Sequence, residues 1–341
     1  MTKQTVEVLC YDPWEKKFQT KSSHHEVGVR DVLIKTTHSG LCFTDVHAKN
    51  RGCGLGHEGV GYVQEVGPAV TNLKSCGHCP TCLSGYRQYC EHALGFAYSD
   101  LEQGAFGDYR IIDAEFAYRI PDAITSIDAG PLMCAGASVY EALDAAGTKA
   151  GDRVGVVGVG GLGHMAMLFA KAMGCSVTAL FASRRPSQQK IKDAFELGAD
   201  EARCIADRLN ELYPTPDSRG EAGEVEEPPR EMKINVLLVC SNELPDWFDI
   251  LPLLDRMARI VLMSIQPKAL NIPYMPFILP GHRIISSTEA SKRNHIDMLD
   301  FAARHKIKPW TETYPMSVQG LSDAMSRLES GQMRYRGVLQ W

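Results

Sequence analysis

Four cysteines stand within fifteen residues of this chain, and their spacing is C-x2-C-x2-C-x7-C. They are Cys76, Cys79, Cys82 and Cys90. Thiolates this close together can converge tetrahedrally on one zinc ion, at about 2.3 Å, in a closed site that leaves no position for a substrate. Disulfides are disfavoured in a reducing compartment, and a Cys-x-x-Cys redox pair does not need four thiols. The spacing therefore predicts a structural zinc, with His78 as an alternative ligand in the same run.

A second set of candidate metal ligands is scattered along the chain and consists of Cys42, His57 and Cys134. Each is a weak signal alone, because a lone buried cysteine is usually a small hydrophobic residue and a lone histidine is usually structural. Together they offer two thiolates and an imidazole, the three protein ligands of a catalytic zinc that keeps one position open. Two thiolates would cancel the charge of the ion and leave a neutral centre, which can bind a carbonyl oxygen or its alkoxide and later release it.

A glycine-rich run, GVGGLG, follows an apolar stretch typical of a strand and precedes one typical of a helix. In that context Gly158 permits a tight turn, Gly160 lets the backbone approach a pyrophosphate, and Gly163 allows close packing of helix on strand. The start of the helix would face the anion. The alternative is a tight glycine turn that binds nothing. The candidate cofactor-binding residues of the run are Gly158, Gly160, Gly161, Leu162 and Gly163.

The residues after the next predicted strand bear on the choice of nicotinamide cofactor. An NAD site places Asp or Glu on the ribose about 20 residues beyond the glycine run. The first acid here is Asp193, inside a predicted helix, whereas Ser183, Arg184 and Arg185 stand where a 2′-phosphate would bind. A hydroxyl and two guanidinium groups can hold that phosphate by charge-assisted hydrogen bonds. We therefore expect NADP(H) to be preferred over NAD(H), the alternative being that the arginines are ordinary surface charges.

The elements that must position these residues fall into two classes along the chain. Residues 1–140 consist of short β segments interrupted by Gly, Pro and Asn, which predicts a β-rich domain. From Asp152 onward strand-like and helix-like runs alternate, which predicts βαβ units and a parallel sheet with right-handed crossovers. The predicted fold class is α/β. The insertion 214–231 is rich in Pro, Gly and Glu and nearly without apolar residues, so we expect a mobile surface loop with no role.

Length and charge narrow the function further. A chain of 341 residues exceeds the usual size of one hydrophobic core, so two domains are expected. A net charge of -5 gives no broad electrostatic reason to expect nucleic acid or an acidic membrane as partner. Neither a signal peptide nor a membrane span is expected, because the N-terminus lacks an apolar segment and the longest uncharged run, 154–170, is rich in glycine. With eleven cysteines we expect a cytoplasmic location, where thiols stay reduced.

The motifs together resemble those of the zinc-dependent medium-chain alcohol dehydrogenases, particularly the cinnamyl-alcohol-dehydrogenase-like branch and its fungal relatives. The resemblance runs along nearly the whole chain, through CFTDVH, GHEGVG, the four-cysteine run, PLMCAG, GVVGVGGLGHMA, ELGAD and MRYRGV. It implies a Rossmann-type parallel-sheet domain and a β-rich GroES-like catalytic domain. The expected boundaries are 1–148 for the catalytic domain with a zinc lobe near 75–92, 149–290 for the cofactor domain, and 291–341 for a segment returning to the catalytic domain.

The resemblance also assigns roles around a catalytic zinc. The expected ligands are Cys42, His57 and Cys134. Glu58 would act as a transient ligand while water or substrate exchanges. Asp45 would accept a hydrogen bond from the free imidazole nitrogen of His57 and so fix the tautomer of that ring.

Three further residues have roles that the resemblance implies. Thr44 would hydrogen-bond the substrate oxygen and pass its proton through the cofactor ribose to His47, whose alternative is an exposed histidine without a role. Arg336 would bind the cofactor pyrophosphate. The implied reaction is hydride transfer between NADPH and an aldehyde or primary alcohol, with zinc polarising the carbonyl or lowering the pKa of the bound alcohol. A small-molecule substrate, two zinc ions per chain and a homodimer complete the expectation.

One stretch of the family pattern is missing here. Relatives usually carry a strand close to GDRVGVGW before the cysteine run, but VGPAVTNLKS leads directly into Cys76. Loss of a paired strand would leave backbone groups unsatisfied and apolar surface exposed. Two interpretations follow: an enzyme with a reshaped pocket, or a cofactor- and zinc-binding protein with weak or no activity. A zinc-binding interaction module is disfavoured because no Lys/Arg cluster flanks the run, and a zinc-free reductase would not need the second ligand set.

Overall fold

The computed structural model of the protein describes residues 3–68, 79–92, 96–98, 100–182, 186–205, 233–266 and 268–341. The predictions made for Cys76, His78, the 183–185 cluster and the insertion 214–231 lie outside these ranges. The chain forms two compact units. The β-rich unit comprises residues 1–137 and 289–341, and the parallel-sheet unit comprises residues 138–288.

Strands predominate in the first part of the chain, and strands alternate with helices from β6 onward. The strands are β1 (Lys3–Asp12), β2 (Lys17–Glu26), β3 (Asp31–Leu41), β4 (Glu58–Val66), β5 (Tyr109–Asp113), β6 (Arg153–Val157), β7 (Ser176–Phe181), β8 (Glu201–Cys204), β9 (Ile234–Val239), β10 (Leu254–Leu262), β11 (Arg283–Ser286), β12 (Thr311–Pro315) and β13 (Arg336–Gln340). The helices are α1 (Phe43–Ala48), α2 (Pro80–Leu83), α3 (Ser126–Pro131), α4 (Ala137–Ala145), α5 (Gly161–Ala172), α6 (Gln188–Glu196), α7 (Trp247–Ile250), α8 (Tyr274–Ile278), α9 (Lys292–His305) and α10 (Val318–Glu329). None of these described helices is long and apolar enough to cross a lipid bilayer.

A five-stranded sheet is the frame of the β-rich unit. Its strands lie in the order β12-β13-β3-β4, and β5 pairs with β3 beside that path. All pairs are antiparallel except β12 with β13. The strands β1 and β2 form a separate antiparallel hairpin. A buried core of Leu41, Leu55, Phe106, Leu321 and Leu339 joins β3, β13 and α10, so the end of β3 is anchored where candidate ligand Cys42 follows.

The parallel-sheet unit has six strands in the order β11-β10-β9-β6-β7-β8, and every neighbouring pair is parallel. Its central strands are apolar and buried along their length, as a sheet covered on both faces requires. The chain leaves β6 towards β7 on one side and returns to β9 on the other, which creates a switch point at the carboxyl end of β6. The α/β prediction, with a Rossmann-type unit and a β-rich GroES-like unit, is confirmed.

The strand β4 lies next to the stretch where the family pattern is missing. Among the described strands β4 pairs with β3 alone, so its other edge is the end of the sheet. Three large apolar residues on its outer half are exposed: Tyr62 (67%), Val63 (53%) and Val66 (54%). An apolar edge of this kind is what removal of a neighbouring strand leaves behind. The segment 69–78 that follows lies outside the described residues, so the missing strand stays a prediction.

Candidate metal centres and cofactor-binding turn

Three separated segments of the β-rich unit bring four potential metal ligands together. The ligand atoms of Cys42, His57, Glu58 and Cys134 all lie within 4.8 Å of one another. Cys42 follows β3 and caps the start of α1, while His57 and Glu58 stand at the start of β4. Cys134 lies in a single turn of π-helix, Leu132–Gly136, which separates α3 from α4. Such turns are rare in proteins and are often found at functional sites.

Asp45 is the buried group that ties two of these segments together. The backbone N–H of Cys42 donates to its Oδ2 at 3.1 Å, and that of Gly56 donates to its Oδ1 at 2.9 Å. The same Oδ1 lies 3.3 Å from His57 Nδ1. Because Nδ1 is engaged by Asp45, Nε2 is the ring nitrogen left for the ligand cluster.

The separation of the two thiols distinguishes a metal site from a disulfide. Cys42 Sγ and Cys134 Sγ are 4.0 Å apart. A disulfide requires about 2.05 Å. Two thiolates bound at about 2.3 Å to a tetrahedral zinc are about 3.8 Å apart. The sulfur geometry and the donor set, two thiols and an imidazole, therefore fit zinc.

A buried ion pair lies directly against this cluster. The guanidinium of Arg336, which is 4% exposed, donates from Nη2 to Oε1 of the fully buried Glu58. Glu58 Oε2 has no hydrogen-bond partner among the described residues, and Gly40 leaves room for it, since a Cβ there would come within 1.9 Å of that oxygen. Burial raises the pKa of Glu58 to about 7, although the charge of Arg336 opposes this shift. An unpartnered carboxylate oxygen facing two thiols is the arrangement expected of a residue that can approach a metal ion.

The ligand residues of the cluster shift one another's pKa values. The hydrogen bond with the Cys134 thiol lowers the pKa of Cys42 well below its ordinary value, and the same bond raises the pKa of Cys134. Burial lowers the pKa of His57, but the Asp45 carboxylate and the Cys42 sulfur outweigh burial, so the pKa is raised. The ligand residues therefore interact strongly with one another. A divalent cation bound there would hold both sulfurs as thiolates.

Thr44 and His47 lie one turn apart on the short helix α1 and differ in their exposure to solvent. Thr44 Oγ1 is 3.5 Å from Cys42 Sγ, so its hydroxyl borders the ligand cluster. His47 is exposed, and its ring lies 5.5 Å from that of Phe43. One group adjoins the candidate centre and the other reaches solvent, while the proton relay between them stays a prediction.

Arg336 has a different neighbour from the one that the sequence suggests. The resemblance gives it a cofactor pyrophosphate, and the structure gives it Glu58. Its Nε has no hydrogen-bond partner among the described residues. The pyrophosphate contact stays a prediction, and the pairing with Glu58 is a contact that sequence reasoning did not find.

The cysteine lobe contains the second candidate centre. The Sγ atoms of Cys79, Cys82 and Cys90 lie within 4.8 Å of one another, and those of Cys79 and Cys90 are 3.9 Å apart. The backbone N–H of Cys82 donates to Cys79 Sγ at 3.5 Å, and that of His92 donates to Cys90 Sγ at 3.4 Å. Backbone donors of this kind stabilise thiolates. Three of the four predicted ligands are therefore together, and Cys76 lies outside the described residues.

The glycine run forms the turn from β6 into α5 in the parallel-sheet unit. Gly158 has φ +89°, and a Cβ there would stand 2.9 Å from the Ser241 backbone. A Cβ on Gly163 would come within 1.9 Å of the Gly158 carbonyl oxygen, so helix and strand approach too closely for a side chain. At Gly160, which caps α5, a Cβ would meet nothing within 4 Å. The free backbone donors at the start of α5 and the open space at Gly160 suit a pyrophosphate.

One carboxyl near the Cys42 cluster has no motif around it. Glu289 follows β11, and although its side chain is open to solvent, neighbouring protein raises its pKa while the charge of His57 opposes that shift. No spacing rule links a loop after a strand of one unit to a histidine more than two hundred positions earlier. The proximity of Glu289 to His57 is seen only in the structure, in which residue 289 belongs to the β-rich unit.

Comparison with known proteins places the chain in a family. Residues 28–122 match the alcohol dehydrogenase GroES-like domain. An alcohol dehydrogenase of Geobacillus stearothermophilus is 31% identical over 356 aligned positions, which cover 98% of this chain and 99% of that protein. Cinnamyl alcohol dehydrogenase 8 of Arabidopsis thaliana is 32% identical over 342 positions, 93% of this chain and 89% of that protein. The chain belongs to the medium-chain alcohol dehydrogenases.

A solved structure supports the branch within this family. A cinnamyl alcohol dehydrogenase of Sorghum bicolor has a TM-score of 0.83 at 28% identity, covering 99% of this chain and 98% of that one. The medium-chain alcohol dehydrogenase described here therefore lies in the cinnamyl-alcohol-dehydrogenase-like branch, as its motifs predict. Its relatives are oxidoreductases, which supports alcohol dehydrogenase activity and does not favour the interpretation as an inert binding protein.

Proposed function

We propose that this chain is a zinc-dependent alcohol dehydrogenase that transfers hydride between NADPH and an aldehyde or primary alcohol. The observation that carries the proposal is the convergence of Cys42, His57, Glu58 and Cys134 within 4.8 Å. The donor set leaves one position open when three of these residues bind, which is the arrangement of a catalytic zinc. Zinc bound there would supply Lewis-acid stabilisation of the oxyanion that develops at the substrate.

The neighbours of the ligands support this role by fixing positions and protons. Asp45 holds His57 through Nδ1, which leaves Nε2 as the ring nitrogen that would bind the metal. Thr44, beside Cys42, hydrogen-bonds the substrate oxygen, and the exposed His47 releases the proton to solvent. Glu58 exchanges between its pairing with Arg336 and the cluster, since one of its oxygens has no partner among the described residues.

The cofactor part of the proposal combines the glycine turn with the residues that follow β7. The turn from β6 into α5 offers backbone donors to a pyrophosphate. Ser183, Arg184 and Arg185 would bind the 2′-phosphate of NADP(H), an argument that rests on the sequence because these residues lie outside the described ranges. A cinnamyl alcohol dehydrogenase of Helicobacter pylori with the same fold, at 23% identity and a TM-score of 0.80, was solved in complex with NADP(H).

The cysteine lobe extends the proposal to a second metal ion and to the location of the protein. The lobe residues Cys79, Cys82 and Cys90, with Cys76, would hold a second zinc of structural role. Thiolate ligands at both centres require a reducing compartment, which supports a cytoplasmic location.

A homodimer is also part of the proposal. The strand β11 is the edge of the six-stranded sheet, and next to it in the parallel-sheet unit several large apolar side chains are exposed. They include Met257 (59%), Tyr274 (69%), Met275 (56%) and Leu279 (70%). A second copy of the chain is the proposed partner of this edge, and size-exclusion chromatography with light scattering measures whether the mass is twice 37.6 kDa.

The deciding experiment counts metal and measures activity in matched variants. Purified wild-type protein should contain two zinc ions per chain and reduce an aldehyde panel with NADPH at a lower KM than with NADH. Cys42→Ala should lose one zinc ion and the activity. The control Cys175→Ala, at a buried thiol of the parallel-sheet unit, should keep both. Retention of both zinc ions and of activity by Cys42→Ala would contradict the metal assignment, and comparable KM values for the two cofactors would contradict the NADPH preference.

A further inference from the structure

A buried arginine in the cysteine lobe has no counterpart among the sequence motifs. Arg87 stands between Cys82 and Cys90 at the start of the 3-10 turn Arg87–Tyr89, and it is 8% exposed. Its carbonyl accepts the backbone N–H of Cys90 at 3.0 Å, so its backbone is part of the ligand loop. A charged side chain is seldom buried unless it is paired, and Arg87 is paired outside the lobe.

The partner of Arg87 is Glu115, in the 3-10 turn after β5. Arg87 Nη1 donates to Glu115 Oε2 at 3.3 Å and to the Glu115 carbonyl at 3.2 Å. Glu115 is 5% exposed, and Lys292 Nζ donates to the same Oε2 at 2.6 Å. One buried carboxylate therefore joins a cation from the lobe to a cation from the first residue of α9. Removal of Arg87 leaves the buried Glu115 carboxylate with Lys292 as its remaining cation, and Lys292 is the first residue of α9.

A second contact joins the lobe to α9 one turn further on. Arg87 Nη2 donates to the Tyr118 hydroxyl. The Tyr118 ring stacks on the His295 ring with centroids 4.1 Å apart and an interplanar angle of 4°. Burial, and after it the charge of Arg87, lowers the pKa of His295 to about 4, so the stacked ring is neutral at physiological pH. Arg87 is thus linked indirectly to the start of α9 by two routes, one ionic through Glu115 and one aromatic through Tyr118.

The helix α9 in turn packs against the turn that carries Cys134. It begins after Ser291, whose hydroxyl accepts the backbone N–H of Asn294 at 3.1 Å. Its residues contact the π-helical turn Leu132–Gly136. The turn that carries Cys134 therefore has α9 as one of its neighbours, beside α3 and β4, and the start of α9 is linked to Arg87 through Glu115 and Tyr118.

We propose that Arg87 is a positioning residue that couples the cysteine lobe to the candidate catalytic centre through Glu115 and α9. Order in the lobe fixes Arg87, Arg87 and Glu115 fix the start of α9, and α9 fixes the Cys134 turn. The proposal rests on the proposed function, because it assumes that Cys134 is a metal ligand. It explains why a lobe with no catalytic group contains a buried arginine that pairs with a carboxylate outside the lobe.

Cobalt in place of zinc gives a readout of the coupling that is independent of activity. Cobalt(II) bound to thiolates absorbs visible light, and the band positions depend on ligand geometry. The difference between the spectra of cobalt-loaded wild type and cobalt-loaded Cys42→Ser isolates the Cys42 centre from the lobe. We expect Arg87→Met to shift the bands of the Cys42 centre and to lower kcat of the zinc enzyme about tenfold, with KM for NADPH unchanged. Arg87→Lys should restore part of both effects, because an ammonium reaches Glu115 but not Tyr118 as well.

Two further variants keep the test decisive. Arg293→Met removes an exposed i,i+4 pair with Asp297 on the same helix and should change neither the spectrum nor kcat. Lys292→Met, which removes one contact with Glu115 from a partly exposed position, should shift the same bands by less and serves if Arg87→Met does not fold. Unchanged bands and kcat in Arg87→Met and Lys292→Met would overturn the coupling. A wild-type cobalt spectrum that Cys42→Ser does not alter would overturn the proposed function instead.

Discussion

The two cysteine centres of this protein differ in how far apart their ligands lie along the chain. Cys42 and Cys134 are 92 residues apart and are joined by contacts among three segments of the β-rich unit. Cys79, Cys82 and Cys90 lie on one short stretch and are oriented by backbone donors of their own loop. The first centre also contains buried carboxylates, Asp45 and Glu58, whereas in the described part of the lobe a buried carboxylate, Glu115, pairs with Arg87.

This difference shows which parts of the molecule each centre depends on. A locally encoded site needs little more than its own loop, because the loop closure that it requires is short. A site assembled from distant segments needs the sheet, its core and the polar groups behind each ligand to be in place. The effects of substitutions at the two centres should therefore differ in both kind and size.

The largest effect is expected for Cys134→Ser. Loss of a thiolate from the Cys42 centre removes several kcal/mol of charge stabilisation, so kcat should fall about 10⁴-fold. The zinc of the lobe should remain, which elemental analysis measures. Cys79→Ser is the matched variant, and it should lose the lobe zinc while the Cys42 centre keeps its own. Loss of both metals in Cys134→Ser would contradict the separation between a local and an assembled site.

The buried pair behind the first centre should matter more for stability than an exposed pair. Arg336→Met leaves Glu58 buried without its cation, which should lower the free energy of unfolding by about 3 kcal/mol. Arg327→Met breaks an exposed pair with Glu312 and should lower the free energy of unfolding much less. Urea unfolding at pH 7 measures both. Equal losses would mean that burial of the pair contributes nothing.

His295, which stacks on Tyr118 beside Arg87, should make the free energy of unfolding depend on pH. Burial lowers the pKa of His295 from 6.5 to about 4. The unfolded state then binds more protons than the folded state between these values, so this contribution is complete above pH 6.5 and is lost as pH falls towards 4. The loss should reach at most about 3 kcal/mol. His295→Gln should remove that part of the slope, and His305→Gln on the same helix should retain it, as urea unfolding across this pH range would reveal.

The smallest effect is expected where one hydrogen bond to a ligand is weakened. Asp45→Asn keeps the contacts to the backbone amides of Cys42 and Gly56 only in part and removes the charge beside His57 Nδ1. Zinc affinity at the Cys42 centre should fall about 10- to 100-fold, which competition with a chromophoric chelator measures. The zinc affinity of the cysteine lobe should not change. A weakening at the lobe would show that the two centres share more than the contacts through Arg87.

The two centres also differ in how far the sequence alone predicts them. The spacing of Cys79, Cys82 and Cys90 and the strand, glycine run and helix around Gly158 could be predicted because close sequence positions are close in space. The sequence identified Cys42, His57 and Cys134 as candidate ligands of one metal ion, but their spacing along the chain could not predict that they lie close together. The pairing of Arg336 with Glu58 and the nearness of Glu289 to His57 had no sequence signal.

The sequence alone determined the two kinds of domain, the glycine turn and the thiol run of the lobe, because each depends on local periodicity or on ligands held within one loop. The tertiary structure decided which distant residues meet: Cys42 with Cys134, Glu58 with Arg336, and Arg87 with Glu115. Contacts of this kind form only when the five-stranded sheet and α9 are packed, because burial brings their charges and sulfurs together and gives them no alternative partner in water.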